Sequence, residues 1–321
     1  MGILVTGGAG FIGSHLVDRL LEQGHKVKII DNLSSGSEKN LNPKAEFFNL
    51  DIRDLEKITP VFKDTDYVFH LAAIPRVPLS IKEPVKTSET NIFGTINVFK
   101  ACAEYRIKRV VFASSSSVYG NQERLPLKED MTPNPLSPYG LQKLVGEQFT
   151  KIFFSLYNLP VVCLRYFNVY GPRIDFNSDY SLVIGKFLKQ KAQGKPLTIY
   201  GDGEQARGFC YVDDVVGANI KAMKSEKIKG GEVINIGSNK SYSINYLAKL
   251  IGGEKKYLPP REGDPLHTKA NITLAKKLLG WEPKITFEQG LEKTREWFTG
   301  QNPALFTKRA RLGGFNKKDI K

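Results

Sequence analysis

Short apolar runs alternate with stretches whose apolar residues recur every three to four positions, and this rhythm carries through the first half of the chain. The runs are Gly2–Thr6, Lys26–Ile30, Tyr67–Leu71, Arg109–Ala113 and Val161–Arg165. Between them lie the amphipathic stretches Phe11–Gln23, Val85–Tyr105 and Pro138–Asn158. Strands alternating with helices predict a doubly wound parallel sheet. In the second stretch Val85, Ile92, Ile96 and Phe99 fall near one helical face, which predicts a helix lying on the sheet through those residues. After Gly171-Pro172 the rhythm loosens, and turn dipeptides multiply at Gly201-Asp202-Gly203, Gly230-Gly231, Gly252-Gly253 and Pro259-Pro260. A smaller α/β lobe is expected there. The segment Cys210–Gly237 again reads helix then strand and is expected to return to the main sheet.

Composition narrows this picture without redirecting it. Hydrophobic residues make up 41% and charged residues 25% of 321, which excludes a disordered or fibrous chain. No apolar run approaches the roughly 20 residues that cross a bilayer, so no membrane span is expected. Met1 leads straight into Ile3-Leu4-Val5, so no secretory signal is expected either. Cys102, Cys163 and Cys210 lie far apart without metal spacing, which suits a reduced, cytoplasmic protein. His15, His25, His70 and His267 form no ligand cluster, and no metal is expected. The net charge of +14 is concentrated in part after Phe306, where Lys308, Arg309, Arg311, Lys317, Lys318 and Lys321 face only Asp319. A solvated tail accounts for that run, and no nucleic-acid partner is expected.

The first chemistry appears where the first strand ends. Gly7-Gly8-Ala9-Gly10-Phe11-Ile12-Gly13 follows that strand and opens the first helix. Glycines at this junction allow a tight turn and let backbone N–H groups approach a pyrophosphate at the positive end of the helix. Asp31 closes the second strand eighteen residues after Gly13, where a carboxylate can accept hydrogen bonds from adenosine ribose hydroxyls. It would repel a 2′-phosphate, and no arginine lies beside it, so NAD is favoured over NADP. A plain turn begun by Asp31-Asn32 is the alternative.

A second constellation follows the strand Arg109–Ala113. Of thirteen tyrosines only Tyr139 has a lysine four residues later, Lys143. On a helix that spacing stacks the two side chains on one face. Pro138 suits a first helical position, which puts the pair at the N-terminal end. A neighbouring ammonium and the positive helix end both favour a phenolate, so a lowered tyrosine pKa is expected. Ser114 to Ser117 follow the strand on the side of the sheet where ligands bind. A hydroxyl there can hold a substrate oxygen, or the serines can form a polar turn.

These residues resemble the extended short-chain dehydrogenase/reductases, and within them the NAD-dependent UDP-hexose 4-epimerases. The resemblance runs from Thr6-Gly7-Gly8 to Leu279-Gly280-Trp281 and rests on several motifs together: Asp31-Asn32-Leu33-Ser34-Ser35-Gly36, His70-Leu71-Ala72-Ala73, Val118-Tyr119-Gly120, Ser137-Pro138-Tyr139-Gly140, Arg165-Tyr166-Phe167-Asn168 and Arg261-Glu262-Gly263-Asp264. It implies a Rossmann-type sheet over residues 1–170, joined by 209–237, with a UDP-sugar lobe of 171–208 and 238–306 and a basic tail of 307–321. It implies that Ser115, Tyr139 and Lys143 are catalytic. For NAD it implies Gly7, Gly10, Phe11, Ile12, Gly13, Asp31, Asn32, Ser35, Gly36, Asp51, Ile52, Leu71, Ala72, Ala73, Thr90, Tyr139, Lys143, Tyr166 and Phe167. For the UDP-sugar it implies Ser115, Ser116, Tyr139, Asn168, Ser181, Leu182, Thr198, Tyr200, Arg207, Arg261, Asp264 and Thr268. A homodimer is expected.

Departures from the family's pattern bear on the substrate. Arg207-Gly208-Phe209 stands where the family commonly has Arg-Asp-Phe, and Arg76 falls in a loop that usually offers small residues to the sugar. Thr268 is small, which implies room for an N-acetyl group, and Asp175–Ile184 resembles the loop of epimerases that prefer N-acetylated sugars. Arg76 would instead suit a uronic carboxylate. The related dehydratases and decarboxylases carry an acidic residue immediately before the motif that matches Val118-Tyr119-Gly120, where this chain has Ser116 and Ser117, and elimination of water needs a general acid. The expectation is a 4-epimerase of UDP-hexoses. A UDP-uronate 4-epimerase is the nearest alternative, and a non-catalytic NAD-binding regulator the alternative from another class.

Overall fold

Successive residues of the central strands face opposite sides of one sheet, and both sides are covered. Ile3, Val5, Val111, Val162 and Leu164 enter one apolar core. Their neighbours Leu4, Val110, Phe112, Val161 and Cys163 enter another. Burial on both faces is why these strands read as continuous apolar runs rather than as alternating ones. The computed structural model describes residues 1–176, 183–260 and 267–301.

The chain begins with β1 (Gly2–Thr6), α1 (Phe11–Glu22), β2 (Lys26–Ile30), β3 (Glu46–Phe48), α2 (Leu55–Ile58) and β4 (Tyr67–His70). It continues through α3 (Val77–Lys82), α4 (Pro84–Ser88), α5 (Thr95–Glu104), β5 (Arg109–Ser115), α6 (Pro138–Tyr157), β6 (Val161–Tyr166) and β7 (Val169–Tyr170). Then come α7 (Val183–Ala192), β8 (Leu197–Tyr200), β9 (Ala206–Arg207), β10 (Cys210–Tyr211), α8 (Val212–Lys224) and β11 (Val233–Ile236). The remainder is β12 (Tyr242–Ser243), α9 (Ile244–Ile251), β13 (Lys255–Leu258), β14 (His267–Thr268), α10 (Thr273–Leu279) and α11 (Phe287–Gln301).

Seven strands form one sheet in the order β11-β6-β5-β4-β1-β2-β3, and every pairing in it is parallel. The doubly wound sheet expected from the alternation is therefore present. Helices α1 and α8 pack on one face, and α5 and α6 on the other. The order reverses between β1 and β4, so the loops leaving their C-terminal ends diverge and open a crevice. Outside this sheet, β8 pairs with β13, and β9 lies between β12 and β14.

The stretch 84–104 departs from the single helix its periodicity predicts. A π-helical turn over Glu89–Gly94 separates α4 from α5. One extra residue in that turn rotates what precedes it, so the buried face runs through Thr87, Asn91, Thr95, Val98, Phe99 and Cys102. Val85 is left 73% exposed. The turn carries polar Asn91 to Ile74 in the loop after β4, a placement that matters below.

Candidate active site

The glycine loop is built by close contact rather than by flexibility alone. Gly7 has φ of +75°, and a Cβ there would lie 2.7 Å from the Ala72 nitrogen. A Cβ at Gly13 would lie 2.1 Å from the Gly7 carbonyl oxygen. Both glycines are thus required for the loops after β1 and β4 to meet and for α1 to start beneath them. Buried His70 fixes the same junction, with Nδ1 2.7 Å from the Thr6 hydroxyl and Nε2 3.0 Å from the Thr95 hydroxyl. Burial lowers its pKa to about 3, so the ring is neutral and structural.

Asp31 accepts from the backbone N–H of Ala9 at 3.0 Å and of Leu33 at 2.8 Å. Its carboxylate ties the end of β2 to the glycine loop, and burial pushes its pKa up. Asn32 donates to Asp51 at 2.8 Å. Asp51 is held down to about 2 by its hydrogen bonds with Arg53.

The crevice deepens into a cavity of about 450 Å³. Gly7, Gly10, Phe11, Ile12, Gly13, Asp31, Asn32, Ser35, Gly36, Ile52, Leu71, Ala72, Ala73 and Thr90 line one end. Ser115, Ser116, Tyr139, Lys143, Tyr166 and Asn168 line the other. These residues come from eight separate stretches of sequence, and the fold brings them around one cavity. An acidic residue closing β2, N–H groups around a glycine turn and a helix start under it fit an adenosine ribose and a pyrophosphate, so this end suits NAD.

At the other end β5 and α6 meet. Ser137 caps α6 by accepting from the Gly140 N–H at 3.2 Å, with Pro138 in the first turn. Tyr139 and Lys143 then follow on one buried face. Lys143 Nζ donates to the Ala113 carbonyl at 2.8 Å and stands 6.0 Å from the Tyr139 ring. Ser115 donates to the Ser117 hydroxyl at 3.1 Å and lies near enough to Tyr139 to favour its phenolate. Burial lowers Lys143 to about 8. It raises Tyr139 to about 12, against a downward pull from Ser115. The lowered tyrosine pKa expected from the spacing is therefore absent here, because loss of water around an enclosed phenol outweighs the pull from Ser115.

Other expected residues lie away from the cavity wall. Asp51 sits on a shallow outer surface with Arg53 and Glu89. Phe167 is fully buried against Tyr119, their ring centroids 6.1 Å apart. Thr198 pairs with Gln190 at 2.9 Å, and Lys186 stands 4.8 Å over the Tyr200 ring. Arg207 donates to the Ala206 carbonyl at 3.2 Å. Thr268 is buried in β14 beside β9 and accepts from Asn168 Nδ2 at 3.0 Å, so it lies directly behind a cavity residue. Gly208 has a steric reason to lack a side chain: a Cβ there would meet the carbonyls of Ser238 at 3.1 Å and Thr268 at 3.2 Å. Ser181, Leu182, Arg261 and Asp264 lie outside the described residues, as does the tail 307–321.

Several residues that support the site escaped the sequence reading. Glu147, one turn past Lys143, accepts from Ser114 Oγ at 2.5 Å and from Arg165 at 2.9 and 2.7 Å. Ser80 accepts from the Tyr139 backbone N–H at 3.1 Å. Asn91 accepts from the Ile74 N–H at 2.8 Å, donates to its carbonyl at 3.1 Å and donates to Gln142 at 2.7 Å. Each is a buried polar residue on a helical segment, and such a residue needs a partner, which is the signal that could have revealed them. Among the described residues no three His, Cys, Asp or Glu gather as for a metal, and no helix is long and apolar enough to cross a membrane.

Known proteins match along almost all of this framework. The model of the NAD dependent epimerase/dehydratase family matches residues 3–237. A UDP-glucose 4-epimerase from Thermotoga maritima, solved with UDP-glucose, is 41% identical, with 94% of this chain and 99% of that one covered and a TM-score of 0.90. A UDP-N-acetylglucosamine 4-epimerase from Methanobrevibacter ruminantium M1, solved with UDP-N-acetylmuramic acid, is 43% identical, with 94% and 98% covered and a TM-score of 0.88. A UDP-glucuronic acid 4-epimerase from Bacillus cereus, solved with UDP-glucuronic acid and NAD, is 36% identical, with 94% and 100% covered and a TM-score of 0.86. The glycine loop at the sheet's switch point, the serine–tyrosine–lysine wall and these matches agree: the chain belongs to the NAD-dependent epimerase/dehydratase family, among the UDP-hexose 4-epimerases of the extended short-chain dehydrogenase/reductases.

Proposed function

We propose that the chain interconverts C4 epimers of UDP-hexoses, UDP-glucose with UDP-galactose and/or UDP-N-acetylglucosamine with UDP-N-acetylgalactosamine, through a transient 4-keto sugar. One observation carries the assignment of roles: Ser115, Tyr139 and Lys143 converge on the cavity that also holds the glycine loop and Asp31. Gly7, Gly10, Gly13 and Asp31 would hold NAD, together with Phe11, Ile12, Asn32, Ser35, Gly36, Ile52, Leu71, Ala72, Ala73 and Thr90. When bound, NAD supplies a reversible hydride acceptor for C4 and a positive charge that favours the phenolate form of Tyr139. Tyr139 takes the proton of the C4 hydroxyl through or beside Ser115, and Lys143 holds the charge that phenolate needs. The proton returns from Tyr139 when C4 is reduced on its opposite face, so the cycle has no net redox change. Ser116, Asn168 and Thr268 are assigned to the sugar, with Ser181, Leu182, Thr198, Tyr200, Arg207, Arg261 and Asp264 toward the nucleotide. Residues 1–170 with 209–237 form the NAD unit, and 171–208 with 238–306 the UDP-sugar unit.

Tyr139→Phe should lower turnover about a hundredfold or more while the protein keeps its NAD. Resolving the C4 epimers of UDP-glucose and UDP-N-acetylglucosamine gives the readout, and activity within tenfold of the parent would remove Tyr139 from the mechanism.

The chain is also proposed to be a cytoplasmic homodimer. Its three cysteines are free and buried, which suits a reducing compartment. Val85, Phe93, Leu141, Ile152 and Leu156 are 50–73% exposed on α6 and the neighbouring segment 84–94. That apolar face suits a second copy. A solution mass of one chain at micromolar concentration would count against the dimer.

A further inference from the structure

The cavity carries few charges on its wall. Among the described residues its charged lining side chains are Asp31, Arg76, Lys143 and Asp175. Asp31 is committed to the Ala9 and Leu33 N–H groups at the glycine-loop end. Lys143 is buried beneath Tyr139 and bonded to the Ala113 carbonyl. Arg76 is the remaining cation, and its Nη2 donates to Asp175 Oδ2 at 3.0 Å.

The two partners come from separate loops, Arg76 after β4 and Asp175 after β7. Arg76 follows Ile74, whose N–H and C=O are both held by Asn91 from the π-helical turn. The helix beginning at Val77 carries Ser80, which accepts from the Tyr139 backbone N–H. Arg76 is thereby anchored beside the start of the catalytic helix. Asp175 follows Pro172, whose carbonyl lies 3.0 Å from His15 Nε2, and Arg173, which pairs with Asp18 at 2.7 Å. Both loops have footholds independent of the pair itself.

We propose that Asp175 sets the charge of the sugar that the site accepts: by holding the Arg76 guanidinium it removes the cation that a sugar carboxylate would need and adds an anion that repels one. The proposal rests on the UDP-sugar reading above and narrows it to hexose units without a carboxylate. A carboxylate entering this cavity must either displace Asp175 from Arg76 or remain unpaired, and both disfavour it. Hydroxyl and acetamido groups meet no such barrier.

Binding separates this proposal from the reading beneath it. Dissociation constants for UDP-glucose and UDP-glucuronate would be measured by calorimetry on the NAD-loaded parent, Asp175→Asn, and Arg76→Gln/Asp175→Asn. The parent should bind UDP-glucose at least about tenfold more tightly than UDP-glucuronate. Asp175→Asn should shift that ratio about tenfold toward UDP-glucuronate, and the double variant should lose the shift. An unchanged ratio in Asp175→Asn, a parent that prefers UDP-glucuronate, or a shift that survives in the double variant overturns the proposal. If the ratio moves as expected yet the parent epimerises neither sugar, the role of Asp175 stands and the epimerase reading of this chain's site falls.

Discussion

Two guanidinium–carboxylate pairs flank the same cavity, and they differ in almost everything but chemistry. Arg165 and Glu147 pair at 2.7 Å behind the Ser115–Tyr139–Lys143 end, with side chains 4% and 2% exposed. Arg76 and Asp175 meet at the cavity at 3.0 Å, with side chains 33% and 50% exposed. For the buried pair, water cannot replace a lost partner, so it has one arrangement and transmits it. Glu147 bonds Ser114 while Lys143, one turn earlier, bonds Ala113, so two consecutive residues of β5 are gripped by one face of α6. Ser115 is the next residue of the same strand. The outer pair is solvated and exchangeable, which suits a group that discriminates among incoming ligands rather than one that fixes geometry.

The largest test of this contrast is stability. Glu147→Ala leaves the Arg165 guanidinium buried without its counter-charge and should cost about 3–5 kcal/mol in urea denaturation. Asp175→Ala breaks the outer pair in contact with water and should cost at most about 1 kcal/mol. Similar losses in the two variants would mean that burial does not separate the pairs. Arg165 also stands 4.5 Å from the Tyr119 ring, and the Tyr119 hydroxyl donates to Asn235 at 2.7 Å. Strain from Glu147→Ala should therefore reach β11, and hydrogen exchange at Asn235 would report it.

The same contrast explains what the sequence made legible. The strands, the glycine loop and the Tyr139–Lys143 pair are local: each follows from residues within one turn or one strand, so periodicity and spacing reveal them. The doubly wound sheet follows because its alternation repeats. What stayed hidden depends on distant partners. Glu147 shares a helical face with Tyr139 and Lys143, but its role requires Arg165 on the adjacent strand. Asn91 reads as a polar break in an apolar face until the π-helical turn carries it to Ile74. Arg76 read as a lone cation open to a sugar carboxylate, because Asp175 lies ninety-nine positions away. The tyrosine pKa was misjudged for a related reason: helical spacing shows the lysine but not how completely the fold removes water from the phenol.

The smallest expected effect is a shift in pH dependence, read on folded protein. Burial lowers Lys143 to about 8, and negative charge nearby opposes that fall. Cys163 and Glu147 both face the ammonium, but burial pushes the Cys163 thiol up, so it is uncharged near pH 8 and Glu147 is the opposing charge. Below about 8 Lys143 is an ammonium and favours the Tyr139 phenolate; above it the amine is neutral and that support is lost. Turnover should therefore fall as pH rises through about 8. Glu147→Gln keeps the side chain's shape but removes its charge and one of its two acceptor oxygens, so Lys143 should lose its proton at lower pH and the falling limb should move the same way. Ser114→Ala removes a hydrogen bond to Glu147 while leaving the carboxylate, and its limb should stay in place. A limb that moves equally in both variants, or in neither, would mean that Glu147 acts on this site by packing alone and that its charge does not reach Lys143.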